Sequence, residues 1–331
     1  MHKECSLCLN NTKMNEITLE NGVCNVCLSY SLIKDNLERY DLFEMAWKNT
    51  LNKYHIGMGI KYDGVMGLSG GKDSTYVIYQ LVHCYKLKIK AVTFDNGFLS
   101  DTAKKNIEST VKLLKIDHEY ITFDREFLKN SYRVSMDLTG SICLGCSFIM
   151  YAAIHDYAIK NSIPMIFHGR SRQQMLSKAF QNLEKPFSNI YTVDNVYREK
   201  VNEIFPDFAK GDICPYIGYF MYHRYDEGEI KKVLQKELNW NDVEKDGKSV
   251  SHFDCRVHSA ASYLFKLKNG YEIDRMEMSY MVRSGLLSKD EAQKLLNKSN
   301  ELELSMDSFT EIALILGISV KELLKEQCDC L

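Results

Sequence analysis

Six residues, Ser69-Gly70-Gly71-Lys72-Asp73-Ser74, follow an apolar stretch ending at Leu68 and lead into the helix-forming run TYVIY. Paired glycines let backbone N–H groups converge on an anion, a helix N-terminus adds positive potential, and Lys72 adds a full charge. The loop therefore reads as a phosphate cradle. The Walker spacing G-x4-G-K-S/T is not met, because Asp73 follows the lysine, and the dinucleotide pattern G-x-G-x-x-G is absent. Sulfur is the second signal, in a chain with 11 cysteines. Cys5, Cys8, Cys24 and Cys27 form C-x2-C-x15-C-x2-C, and Cys143 and Cys146 form a further C-x2-C. Cys255 lies in SHFDCRVHS, and Cys328 and Cys330 stand near the C-terminal end. In a reducing compartment such spacings read as metal ligands or reactive thiols before disulfides.

Residues 1–30 are too few to bury a core, and four thiolates on one Zn2+ would supply the missing folding energy. The expectation is a zinc ribbon with a structural role, since four protein ligands leave zinc no open position. Three readings of the residues stand for Cys143 and Cys146. A helix N-terminus would lower their pKa, so that one carries a persulfide. Alternatively, Cys255 and His252 or His258 complete a second zinc site with them. In the third they are buried thiols with no ligand role.

These residues need a scaffold. Strand patterns at 62–68, 89–94, 119–123 and 163–167 alternate with helical stretches at 74–84, 101–114 and 147–161. Such alternation predicts an α/β fold with a parallel sheet, whose ligands bind beyond the carboxyl ends of the strands. The expected organisation is a ribbon at 1–30, a linking helix at 31–55, an α/β nucleotide domain at 56–200 and a mainly helical substrate region at 201–331. Ser288-x-x-Glu291, Ser308-x-x-Glu311 and Ser319-x-x-Glu322 read as capping boxes in that last region.

The 331 residues are 45% hydrophobic and 26% charged, with a formal net charge of −2. That balance gives no overall reason to bind a polyanion, so a small or carrier-bound substrate is favoured over nucleic acid. No apolar run reaches the ~20 residues of a membrane span, and the start MHKEC lacks a signal-peptide pattern. A cytoplasmic protein without a membrane partner is expected.

In its strand-loop-helix setting, SGGKDS resembles the PP-loop of the N-type ATP pyrophosphatases, which split ATP between the α and β phosphates. The resemblance implies a HUP-like doubly wound parallel sheet, ATP and Mg2+. It implies that Ser69, Gly70, Gly71, Lys72 and Ser74 hold pyrophosphate and that Asp73 positions the loop or the metal. Asp95, ending AVTFDNG, and Gly169, after the fourth strand, would contact the nucleotide, and a homodimer is the common assembly. Two narrower resemblances compete. The whole layout, with VTFDNGF and the tail MVRSGLLSKDEAQKLL, is similar to N-acetyl sugar amidotransferases, implying amidination with ammonia from a separate glutaminase subunit. The triplet Cys143, Cys146 and Cys255 resembles that of PP-loop sulfur transferases of the tRNA thiolase type. It implies a 4Fe-4S cluster and a sulfur donor, whether sulfide, a desulfurase or a carrier protein. The leading expectation is adenylation of a substrate oxygen followed by its replacement with sulfur at these cysteines. HGRSRQQM (168–175) departs from both families, and there Arg170, Arg172 and Gln173 are candidates to grip an acceptor carboxylate or phosphate.

Overall fold

Alternating burial builds the central sheet. Met66 and Ala91 pack with Leu68, Ile78, Phe167, Ile217 and Trp47 on one face, while Val65, Val92 and Ile166 pack with Ile154 and Ala158 on the other. Both faces are covered, as a parallel sheet requires. The structure, a computed structural model, describes residues 2–14, 17–37, 40–54, 60–172, 174–175, 214–242, 244–245, 248–249, 254–301 and 305–328. Gln173, His252, Cys330 and the stretch KPFSNIYTVDNVY lie outside the described residues.

The five sheet strands are β3 (Gly64–Gly67), β4 (Ile89–Phe94), β5 (His118–Ile121), β6 (Ile166–His168) and β7 (Tyr216–Gly218), in the order β5-β4-β3-β6-β7 and all parallel. This is a doubly wound α/β sheet, and its direction of winding reverses between β3 and β6. The crevice beyond the carboxyl ends of those two strands is where ligands of such sheets bind. The helices of the α/β part are α3 (Lys72–Tyr79, continued by a π turn to Cys84), α4 (Asp101–Leu114), α5 (Arg125–Thr139) and α6 (Cys143–Lys160). Ser100 caps α4 through Ala103 N–H, and Asp124 caps α5 through Phe127 N–H. Among the described residues no helix is long and apolar enough to cross a membrane.

Before the sheet, β1 (Leu19–Glu20) and β2 (Val23–Cys24) form a hairpin whose Asn21-Gly22 turn has both residues at positive φ, as a type I′ turn demands. Helix α1 (Asn25–Leu37) starts inside the second cysteine pair, and α2 (Tyr40–Tyr54) sends Trp47 into the core. The link is therefore two helices, the first beginning before residue 31. After the sheet come the short α7 (Tyr219–Tyr222), α8 (Glu227–Leu238), α9 (His258–Asn269), α10 (Arg275–Arg283), α11 (Lys289–Glu301), α12 (Met306–Leu316) and α13 (Val320–Cys328).

Two boundaries differ from expectation. The sheet does not end by residue 200: Ile217 pairs with Phe167, and Ile230, Leu234 and Leu238 of α8 enter the same core as Val77 and Ile78 of α3. Three residues of strand inside an aromatic run carry too short a pattern to be read alone. Ser288 with Glu291 and Ser319 with Glu322 form the expected boxes, but Ser308 lies inside α12, which Ser305 caps. There Ser308 donates to Arg256 O, and Glu311 pairs with the Arg256 guanidinium at 2.8 Å, so both serve tertiary contacts.

Gly70 joins the loop to this frame. It has φ +78°, and a Cβ there would lie 2.3 Å from Ala103 O at the start of α4. The left-handed conformation costs a side-chain-bearing residue about 1–2 kcal/mol, and overpacking typically adds 1–3 kcal/mol. Gly70→Ala is expected to lose at least about 2 kcal/mol of stability, measured by urea denaturation; an unchanged midpoint would contradict the packing described.

Candidate functional site

The loop SGGKDS leaves β3 and opens α3 with Gly71 as the N-cap residue. Its side chains organise it from within. Ser69 Oγ accepts from Gly71 N–H at 3.3 Å and lies 3.1 Å from Ser74 Oγ, which donates to Gly71 O at 3.2 Å and accepts from Ser69 N–H at 3.2 Å. From outside, Trp240 Nε1 and Asn106 Nδ2 both donate to Gly70 O, at 2.9 and 3.2 Å. The loop is pinned through one carbonyl by α4 and by the residue pair following α8.

Asp73 accepts from Tyr225 OH at 3.0 Å and pairs with Lys72 at 3.5 Å. Burial nevertheless raises its carboxyl above the usual range, with Lys72 and Tyr225 only partly offsetting it. Such a carboxylate lacks enough positive charge around it, a lack that a bound cation would relieve. Gly169 sits where β6 ends, and a Cβ there would fall 2.9 Å from the backbone of Asp73. The fourth strand thus abuts the loop backbone, at the sequence position expected to meet nucleotide. Asp95 Oδ1 accepts from Gly97 N–H at 3.0 Å, closing an Asx turn after β4.

The second cysteine set gathers beside this turn. Cys143 and Cys146 lie in the first turn of α6, which starts four residues earlier than its sequence pattern indicates, and Cys255 lies just before α9. All three pack against one apolar cluster that includes Phe98, Tyr132 and Ile142. Asn96 Nδ2 donates to Cys146 Sγ at 3.3 Å, and Cys143 N–H donates to Ser141 Oγ at 3.2 Å. Burial pushes the Cys143 thiol up to about 12. It raises Cys146 as well, and Cys255 is raised by burial and then by Cys143 and Cys146. The lowered pKa expected of a helix N-terminus is not found, because desolvation outweighs the dipole. Among the described residues these sulfurs form no set of three ligand atoms within 4.8 Å, and the zinc site with His258 is not formed.

Asp254 connects the two halves. A Cβ on Gly71 would lie 3.3 Å from Asp254 Oδ2, and the next residue, Cys255, is already among the thiols. The carboxyl of Glu277 in α10 is pushed up to about 7 by burial, then by Asp274 and Asp73, against the pull of Lys72 and Arg170. Arg170 stacks its guanidinium over Tyr151 at 5.0 Å. Arg172 is buried, donates to Leu37 O and to Met221 O, and lies over Phe43, so it joins α1 to α7 instead of gripping an acceptor.

Cys5, Cys8, Cys24 and Cys27 do assemble, with all four sulfurs buried and within 4.8 Å of one another. Cys5 and Cys27 are 3.9 Å apart and Cys8 and Cys24 3.7 Å. A tetrahedron with Zn–S of ~2.3 Å has edges of about 3.8 Å, so the donor set fits a single tetrahedral ion. Backbone N–H groups of Leu7, Asn10, Cys24 and Cys27 point at the sulfurs, as metal-bound thiolates require.

Asp254, Glu277, Asn96, Tyr225 and Trp240 were not evident as site residues from sequence. Asp254 carried a signal in its place beside Cys255. Trp240, one of two tryptophans in the chain, had none beyond its rarity.

No family model matches the chain. An uncharacterized protein of Methanocaldococcus jannaschii is 24% identical over 297 residues, covering 89% of this chain and 93% of that relative. Among solved structures, the U34-tRNA thiolase NcsA from Methanococcus maripaludis with its 4Fe-4S cluster has 16% identity and TM-score 0.40, covering 78% of this chain and 80% of its own. An NMN synthetase from Francisella tularensis has 14% identity and TM-score 0.39, covering 84% and 93%. An NH3-dependent NAD synthetase from Campylobacter jejuni has 11% identity and TM-score 0.31, covering 65% and 98%.

The raised carboxyl of Glu277 has a measurable cost. Folded, it keeps its proton to about pH 7, whereas the reference carboxyl releases it near 4.5. Between those values the folded state binds more protons than the unfolded state, so stability falls as pH rises through the window. Glu277→Gln is expected to gain on wild type by on the order of 2–3 kcal/mol between pH 4.5 and 7.5. Urea midpoints of both proteins across that range check it; parallel pH dependence would show that the carboxyl is not strained.

Proposed function

We propose that the chain is an ATP pyrophosphatase that adenylates an oxygen of a small or carrier-bound substrate and then replaces that oxygen with sulfur at Cys143, Cys146 and Cys255. The observation that carries the reading is the Asp254-Cys255 pair, whose neighbouring residues reach Gly71 of the phosphate loop and the thiol pocket. A site that only split ATP would have no use for three thiols so placed.

In the first step the substrate oxygen bonds to the α-phosphorus as the α–β bridge breaks and pyrophosphate leaves. The loop N–H groups at the start of α3 and the Lys72 ammonium are the donors for the departing charge. Asp73 and Asp254 carry the carboxylates available to Mg2+, and the unrelieved burial of Asp73 supports a cation there. In the second step a carbon–sulfur bond forms, the carbon–oxygen bond breaks, and AMP carries the oxygen away. Burial keeps the three thiols protonated when free, which favours a metal cluster over a free persulfide nucleophile. Their spacing beyond single-ion range also suits a cluster, in which each thiolate meets a different iron. When bound, a 4Fe-4S cluster with three protein ligands supplies one iron with an open position for sulfide. The thiolase among the structures reported above carries a 4Fe-4S cluster.

We assign Zn2+ to Cys5, Cys8, Cys24 and Cys27 in a structural role. The sulfur comes from sulfide, a desulfurase or a carrier protein, and the enzyme works in the cytoplasm as a homodimer without nucleic acid. Amidination with ammonia from a glutaminase would use the same loop but gives the three thiols no task.

The test is iron, sulfide and zinc analysis of the anaerobically prepared chain, together with AMP and pyrophosphate release over a panel of carbonyl substrates. Lys72→Ala is expected to lower pyrophosphate release at least about 100-fold. Cys255→Ser should abolish sulfur incorporation while adenylation persists. Full ammonia-dependent turnover by Cys143→Ser and Cys255→Ser proteins, with no iron in the wild type, would replace sulfur with nitrogen as the incoming atom.

A further inference from the structure

Helix α10 has two working faces. Arg275, Ser279 and Arg283 recur at intervals of four and form one stripe along it. Arg275 and Arg283 meet the N-terminal module, and Ser279 between them is fully buried. Arg275 Nη1 donates to Leu9 O at 3.0 Å and lies 3.8 Å from Glu4, while its Nη2 pairs with Glu272 at 2.7 Å. Arg283 Nη2 donates to Cys8 Sγ at 3.8 Å. Beside them Tyr280 meets Tyr30 edge-on with ring centroids 6.0 Å apart, and at the start of α11 Lys289 Nζ donates to Cys5 O at 2.8 Å. Glu277 stands two residues from Arg275, about 200° around the helix, and feels Lys72, Asp73 and Arg170.

Arg283 has a charge problem that the protein atoms do not solve. Its Nε and Nη1 are shielded from solvent and have no hydrogen-bond partner among the described residues. A guanidinium in that position needs negative charge nearby, and neutral thiols supply none. Four thiolates on a divalent ion carry a net charge of −2, and Cys8 is one of the four. The cation and the metal site are therefore complementary only when the metal is bound.

We propose that Arg283 is the charge partner of the metal-loaded four-cysteine site, and that this contact, together with those of Arg275 and Tyr280, holds α10 on the N-terminal module. The metal centre then does more than fold the first thirty residues: it fixes a helix that lies about 250 residues further along the chain. The partnership stands independently of the function proposed above.

The full chain is loaded with Zn2+, and zinc release to a chromogenic chelator is followed in wild type, Arg283→Met and Arg283→Lys. Loss of an outer partner of a metal ligand typically costs 10–100-fold in affinity, so release from Arg283→Met should be at least about tenfold faster, with Arg283→Lys restoring part of the difference. Release at the wild-type rate from Arg283→Met overturns the partnership. Hydrogen exchange is then compared in wild-type protein before and after chelation. Residues 274–283 are expected to lose protection when zinc is removed, while α3 and β4 keep theirs. Unchanged protection of 274–283 overturns the hold on α10. Neither measurement needs substrate or turnover, so a failed ATP assay would sink the proposed function and leave this inference standing, and the reverse also holds.

Discussion

The backbone of the phosphate loop is held from two sides with no room to spare. Gly169, at the end of β6, stands where any Cβ would strike the Asp73 backbone, and Gly70 meets Ala103 at the start of α4 in the same way. The Gly169 approach occurs where the sheet reverses its winding, between β3 and β6. The loop must face the crevice there. Trp240 and Asn106, converging on the Gly70 carbonyl, spend its acceptor capacity inward and help keep the orientation of the residues that open α3. Close packing thus prepares the anion site before any ligand arrives, which is what preorganised electrostatic binding requires.

Charge is distributed around that crevice with an excess of carboxylates. Asp73 and Glu277 are both raised by burial, Asp274 adds to the shift of Glu277, and Asp254 lies against Gly71. Lys72 and Arg170 oppose them without cancelling the cost. An arrangement that strains carboxylates in the resting protein stores a preference for added positive charge, which a divalent ion would supply. The same reasoning separates the two arginines of HGRSRQQM. Arg170 opposes the raised carboxyl of Glu277, whereas Arg172 is committed to backbone carbonyls of α1 and α7. Burial and partners, more than residue type, decide which arginine remains available for a substrate.

The regular parts of the fold were legible because their patterns are long. IKAVTF reads as a buried strand and is one, and the glycine loop declares both its strand and its helix. The N-terminal cysteines were legible because metal spacing is local. What escaped was set by tertiary contact. Tyr216–Gly218 is a strand only because Phe167 offers an edge, and Ser308-x-x-Glu311 keeps the spacing of a cap while Arg256 claims both residues. Asp254 reaches Gly71 from almost two hundred residues away, a distance over which a single sequence carries no pairing information.

The thiol pocket shows how two correct local rules can conflict and which one prevails. A helix N-terminus stabilises a thiolate, typically by a fraction of a kcal/mol to about 2 kcal/mol in a partly buried setting. Removing that charge from water costs several kcal/mol, so an apolar pocket wins unless a cation is present. Cys143 and Cys146 open α6 yet are raised, with Phe98, Ile142 and Tyr132 around them. In the N-terminal module sulfur is also buried, but there four thiols share a radius that suits one ion, backbone N–H groups converge on them, and Arg283 stands ready to neutralise the excess charge. Identical residues thus meet opposite environments in one chain. The four sulfurs of the outer set lie close enough together for one ion, whereas the inner three form no such set and rest against an apolar cluster.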